Sequence, residues 1–139
     1  MNGPNPSNEN SPNYIKSAID KGYDCEIDFW FIKEGLFLGH DKPMYKIEEK
    51  FLFNLSSKLW IHCKNLGALE FVTQADGFLN GFWHQQDSYT LTTKGFIWTY
   101  PNQLTTYKSI LVHLNYYDPQ FAKNPIAGVC SDFMAKHTI

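Results

Sequence analysis

The run Cys25-Glu26-Ile27-Asp28-Phe29-Trp30 sets two carboxylates at alternate positions of an otherwise apolar segment. That period predicts a strand with Glu26 and Asp28 pointing to the same face. Further strand-like runs follow, so that strands are predicted near 24–30, 35–39, 59–63, 78–83, 95–99, 109–114 and 127–131. Ser11-Pro12 is a helix start, a capping hydroxyl followed by proline at the first helical position. Ile15, Ala18 and Ile19 then keep helical spacing until Gly22. Helices are also predicted at 44–52 and 66–74, with fainter patterns at 103–108 and 118–123, and residues 1–10 read as a polar loop.

No apolar run approaches about 20 residues, the length that would span a bilayer. The N-terminus is polar rather than a basic-then-apolar leader. A soluble, cytoplasmic chain without a transmembrane segment is therefore expected. At 139 residues it is expected to form one domain, 1–139. A 43% hydrophobic and 17% aromatic composition supplies a core and aromatics enough to line a cleft. The formal charge of -2 gives no electrostatic basis for nucleic-acid binding. Arginine is absent, so a phosphate would have to be met by lysine, histidine, backbone amides or a metal. Cys25, Cys63 and Cys130 are far apart and odd in number, which favours reduced thiols over a disulfide framework.

The acidic strand carries the chemistry that stands out. Two carboxylates on an apolar strand are costly to bury without compensation, and a hard divalent cation provides it. Leu38-Gly39-His40-Asp41 brings a His-Asp pair to the end of the next apolar run, where an acid or base is useful. His40, His62 and His84 fall 22 residues apart, each at or near the end of a strand-like run. Equal spacing is what successive strand-plus-helix units of a parallel barrel would give, with polar residues at the carboxyl ends of the strands.

Taken together these segments resemble the glycerophosphodiester phosphodiesterase superfamily, which includes phosphatidylinositol-phospholipase-like barrels. Glu9-Asn10 before the helix at 12–21 resembles the family's loop and first helix, and Gly22 to Asp28 resembles its Glu-x-Asp metal strand. Gly39-His40-Asp41 is similar to its His-Asp motif. Ile61-His62-Cys63-Lys64 is similar to its Glu-x-Lys strand with histidine replacing glutamate, and Gly128 to Phe133 to its final strand without the proline. The family's His-Arg-Gly first strand has no counterpart here.

The resemblance implies an α/β fold, a small TIM-type (β/α) barrel with short helices and incomplete at its N-terminus. It implies a metal-dependent phosphoric diester hydrolase of lipid metabolism, releasing glycerol phosphate and an alcohol from a small phosphodiester. Glu26, Asp28 and His62 would hold a divalent metal, Mg²⁺ or Ca²⁺. His40 would be the acid/base, with Asp41 orienting it. Lys64 would face the phosphate, and His84 and Trp98 would line the substrate pocket. Because one acid/base histidine is missing, His62 or His84 would have to substitute, and activity is expected to be weak. Two rival expectations are a non-catalytic barrel binding a phosphorylated small molecule and a different hydrolase built around zinc or manganese.

Overall fold

The structure, a computed structural model, describes residues 2–113 and 125–136. Ser11 caps the first helix, α1 (Pro12–Asp20), its Oγ accepting from the Tyr14 amide at 3.3 Å. The chain then enters β1 (Cys25–Ile32), turns through Lys33-Glu34 into β2 (Gly35–Leu38), and turns again into β3 (Tyr45–Ile47). Next come α2 (Glu49–Asn54), β4 (Leu59–Cys63), α3 (Leu66–Gln74) and β5 (Gly81–Phe82). The second half holds β6 (Tyr89–Leu91), β7 (Ile97–Thr99), β8 (Ser109–Val112) and β9 (Gly128–Cys130), closed by a 3-10 turn at Met134–Lys136. No helix among the described residues is long and apolar enough to cross a membrane.

Two mixed sheets result, ordered β3-β2-β1-β4-β5 and β6-β7-β8-β9. This overturns the TIM-type barrel expectation: the described residues contain three short α-helices and no closed barrel. The cause is local. Two residues join β1 to β2, and so short a link permits only an antiparallel hairpin, since a parallel neighbour needs a crossover of a dozen or more residues. At the far edge, β5 is only two residues long. Gly81 gives its amide to Thr93 Oγ1 (2.9 Å) and its carbonyl to the Thr93 amide (2.8 Å), so a loop occupies the place of a sixth strand.

Several element assignments change with the fold. The helix expected at 44–52 is strand β3 followed by α2, and the strand expected at 78–83 shrinks to β5. At 103–108 there is no helix, because hydroxyls capture the amides a helix would use. Thr106 N donates to Ser109 Oγ at 2.9 Å and Lys108 N to Thr106 Oγ1 at 3.2 Å. Strand β6 had no forecast, and the helix expected at 118–123 lies outside the described residues.

Alternation along β1 divides its side chains between two environments. Ile27 and Phe29 are fully buried against α3, where Phe71 meets Phe29 and Phe31 edge-on at 5.6 Å each. Close approach of α3 needs glycine: a Cβ on Gly67 would lie 2.6 Å from the Phe31 carbonyl oxygen, and one on Gly81 2.5 Å from Val72 Cγ1. The opposite face carries Glu26 and Asp28, near a second apolar cluster of Phe82, Trp98 and Ile110 flanked by Trp60 and Cys130.

Candidate functional site

Asp28 is the hub, a carboxylate only 3% exposed. Strand pairing aligns it with His62 on the parallel neighbour β4, and His62 with Phe82 on β5, so the three side chains form one row. From the other side, the β1–β2 hairpin returns the chain past Asp28, whose carbonyl accepts from the Gly39 amide at 3.1 Å. Gly39 has φ +155°, and a Cβ there would fall 2.0 Å from the Lys42 carbonyl oxygen, so only glycine fits this turn. The turn delivers His40, with Nδ1 3.1 Å from Asp28 Oδ2.

The two oxygens of Asp28 have different surroundings. Oδ2 accepts from Asn10 Nδ2 at 2.8 Å and faces His40. Oδ1 lies 3.0 Å from His62 Nδ1 and 3.3 Å from Lys64 Nζ. Neither approach has hydrogen-bond alignment, so Oδ1 is a buried oxygen without a hydrogen bond. Glu26 Oε1 is 3.6 Å from the same His62 Nδ1. Glu9, carried in by the N-terminal loop, places Oε1 3.4 Å from His40 Nδ1.

Charge is unevenly held across this group. Burial, reinforced by the Asp28 charge, raises the Glu26 carboxyl well above its ordinary range, against the pull of Lys64. Burial pushes Asp28 upward as well, but His62, Lys64 and the Asn10 amide outweigh it and leave its pKa lowered. The pair therefore favours one proton on Glu26 and a full charge on Asp28.

Of the residues singled out from sequence, Glu26, Asp28, His40, His62 and Lys64 come together. Asp41 is exposed, with Oδ1 3.9 Å from His40 Nε2. His84 joins through its backbone: its carbonyl lies 2.8 Å from His62 Nε2, while its ring packs on Tyr100 at 5.3 Å with Nδ1 buried and unpartnered. Burial, then the neighbouring His62, lowers the pKa of His84. Trp98 is 6% exposed and stacks on Phe82 at 4.5 Å, so it supports the row of rings from behind. Glu9 and Asn10 were legible only as part of a loop motif, since nothing local signals contact with Asp28 across 18 residues. A surface hollow of about 450 Å³ lies elsewhere, lined by Asn5, Tyr14, Lys21 and Tyr23, and takes in none of this group.

Among the described residues two sets of ligand atoms could each hold a metal ion: Glu26, Asp28 and His62, and Glu9, Asp28 and His40, with the atoms of each set within 4.8 Å of one another. The first set fits a divalent cation better, because Asp28 Oδ1, buried without a hydrogen bond, belongs to it. No protein-family model, curated protein or solved structure matches this chain.

Proposed function

We propose that the chain is a metal-dependent phosphodiester hydrolase acting on small glycerophosphodiesters and releasing glycerol phosphate and an alcohol. The supporting observation is the buried Asp28 carboxylate, flanked by His40 and His62 and backed by Glu26 and Lys64. Three free cysteines suit a reducing compartment, and the proposal assigns the chain to the cytoplasm.

His40 is the group suited to move protons. Its Nδ1 faces carboxylate oxygens of Asp28 and Glu9, which accept when ionised, so the ring hydrogen resides on Nδ1. The neutral ring then carries its lone pair on Nε2, and the side chain is 60% exposed. In the proposed reaction Nε2 takes a proton from the attacking water as the new P–O bond forms. The P–O bond to the alcohol breaks, and the imidazolium returns the proton to the leaving oxygen. Glu26, Asp28 and His62 would hold the cation, which supplies charge neutralisation at the phosphodiester oxygens. Lys64, with its stem half-buried and its ammonium beside Asp28, adds a positive charge at the same place.

A second reading, a non-catalytic domain binding a phosphorylated small molecule, is favoured by one observation. His62 Nε2 is engaged by the His84 carbonyl and His84 Nδ1 is buried, so one nitrogen of each ring is withheld from proton transfer. Hydrolysis of glycerophosphocholine and bis(p-nitrophenyl) phosphate, with each of several divalent metals, decides between them. Turnover that falls about 100- to 10,000-fold in His40→Ala supports the hydrolase. A folded, metal-loaded chain without turnover supports the binding domain.

A further inference from the structure

We infer that Glu26, Asp28 and His62 form a site in which His62 Nδ1 is a direct ligand and which selects Zn²⁺ over Mg²⁺ and Ca²⁺. The inference rests on the same three residues as the proposed cation site, but it concerns which metal they take and through which atom. It sets Zn²⁺ against the expected Mg²⁺ or Ca²⁺.

The tautomer of His62 is set by its backbone partner. Nε2 lies 2.8 Å from the His84 carbonyl oxygen. A carbonyl only accepts, so Nε2 carries the hydrogen. The ring lies parallel to Phe82, with centroids 5.3 Å apart and an interplanar angle of 3°. Nδ1 is thereby aimed at Asp28 Oδ1 (3.0 Å) and Glu26 Oε1 (3.6 Å).

In the neutral ring Nδ1 turns a lone pair towards Asp28 Oδ1 and Glu26 Oε1, an arrangement a cation would bridge; Lys64 Nζ, 3.3 Å from Oδ1, adds positive charge there without an aligned hydrogen bond. A proton on Nδ1 would do so through a hydrogen bond, yet Nδ1 and Oδ1 are close without being aligned for one, and Oδ1 remains buried without a hydrogen bond. Convergence without alignment is how two ligands of a common cation meet. Tetrahedral zinc bonds of about 2.0–2.2 Å place neighbouring ligand atoms roughly 3.3–3.6 Å apart; the Glu26 separation of 3.6 Å falls in that range and the Asp28 separation of 3.0 Å is slightly shorter. The His84 carbonyl then plays the part of the outer acceptor that orients a metal-bound imidazole.

Ligand chemistry sets the selectivity. Mg²⁺ and Ca²⁺ take oxygen ligands, whereas an imidazole nitrogen favours zinc and its neighbours. A nitrogen at the centre of the group works against the hard cations.

The test is calorimetric titration of the metal-stripped full chain with Zn²⁺, Mg²⁺ and Ca²⁺ separately, alongside ¹⁵N NMR of the histidine rings. The expected result is one Zn²⁺ per chain, bound at least 100-fold more tightly than either other ion. The His62 Nδ1 resonance should move to a metal-bound position while Nε2 keeps its hydrogen. His62→Ala should lose about 100-fold in Zn²⁺ affinity, and His62→Glu, which keeps a ligand and serves if the alanine variant does not fold, should shift preference towards Mg²⁺ or Ca²⁺. Equal or tighter binding of Mg²⁺ or Ca²⁺ by the unaltered chain, an unmoved Nδ1 resonance, or Zn²⁺ binding unaffected by both substitutions would overturn it. Zinc bound through Nδ1 without phosphodiester turnover would uphold this inference and remove the hydrolase. Turnover supported by Mg²⁺ with no preference for Zn²⁺ would do the reverse.

Discussion

Asn10 holds Asp28 through both ends of its amide: Nδ2 donates to Asp28 Oδ2 at 2.8 Å, and the Asp28 backbone N–H donates to Asn10 Oδ1 at 2.7 Å. The grip ties the N-terminal loop to the edge of β1 and sets Glu9 beside His40. Asn10 sits at φ +62°, a conformation asparagine tolerates. Removing a buried amide from an ionised carboxylate costs about 2–3 kcal/mol. Asn10→Gly, which keeps the backbone conformation available, is expected to lower the unfolding free energy by that amount, read as a lower urea midpoint with an unchanged m-value. Asn10→Ala should cost more. A loss below about 0.5 kcal/mol in both would show that the loop is held by other contacts.

Gly39→Ala is expected to act on His40 without touching it. The added methyl would meet the Lys42 carbonyl, so the turn must open and Nδ1 must leave Asp28. If the hydrolase proposal holds, turnover should fall nearly as far as in His40→Ala while the chain stays folded. Circular dichroism with parallel kinetics checks this, and full activity in a folded Gly39→Ala chain would refute it.

Glu26 and Asp28 should pull stability in opposite directions with pH. The folded Glu26 pKa is raised, so its contribution is complete below the unfolded value of about 4.3 and is lost as pH rises through the folded one. The folded Asp28 pKa is lowered, so its contribution is present above about 3.9 and is lost as pH falls through the folded value. Glu26→Gln abolishes the cost of ionising Glu26. Its urea midpoint in chelator-containing buffer should exceed that of the unaltered chain at pH 8 and match it at pH 4. An equal gain at both pH values would point to packing rather than charge.

The thiols are expected to be inert while the chain is folded. Burial pushes Cys63 up to about 12, and burial with the charges of Asp24 and Glu26 pushes Cys25 up to about 11. Cys130 is also raised, chiefly by burial. Thiolate is the reactive form, so at pH 8 iodoacetamide should label the native chain slowly and all three cysteines quickly in denaturant. Rapid native labelling of Cys25 would contradict this.

Local pattern carried the parts of the structure that depend on neighbours in sequence. Period-two alternation placed Glu26 and Asp28 on one face, and Ser11-Pro12 marked the start of α1. What alternation could not convey is which strand lies next to which. The evenly spaced histidines suggested repeating parallel units, yet His40 follows an antiparallel strand while His62 lies on a parallel one. The Lys33-Glu34 link already contained the contrary signal, since it is too short for a crossover. Asn10 and the His84 carbonyl were invisible for another reason: one acts across a long sequence interval and the other through backbone atoms that every residue possesses.

That same two-residue link bears on the order in which the molecule assembles. Asp28 meets His40 by closing a hairpin, a local event with little loop entropy to overcome. It meets His62 only after a crossover containing β2, β3 and α2 has folded back to set β4 beside β1. The Asp28–His40 half of the group is therefore expected early in folding and the nitrogen beside Glu26 late, so the acidic strand passes through a stage with its carboxylates half-partnered and still open to solvent ions.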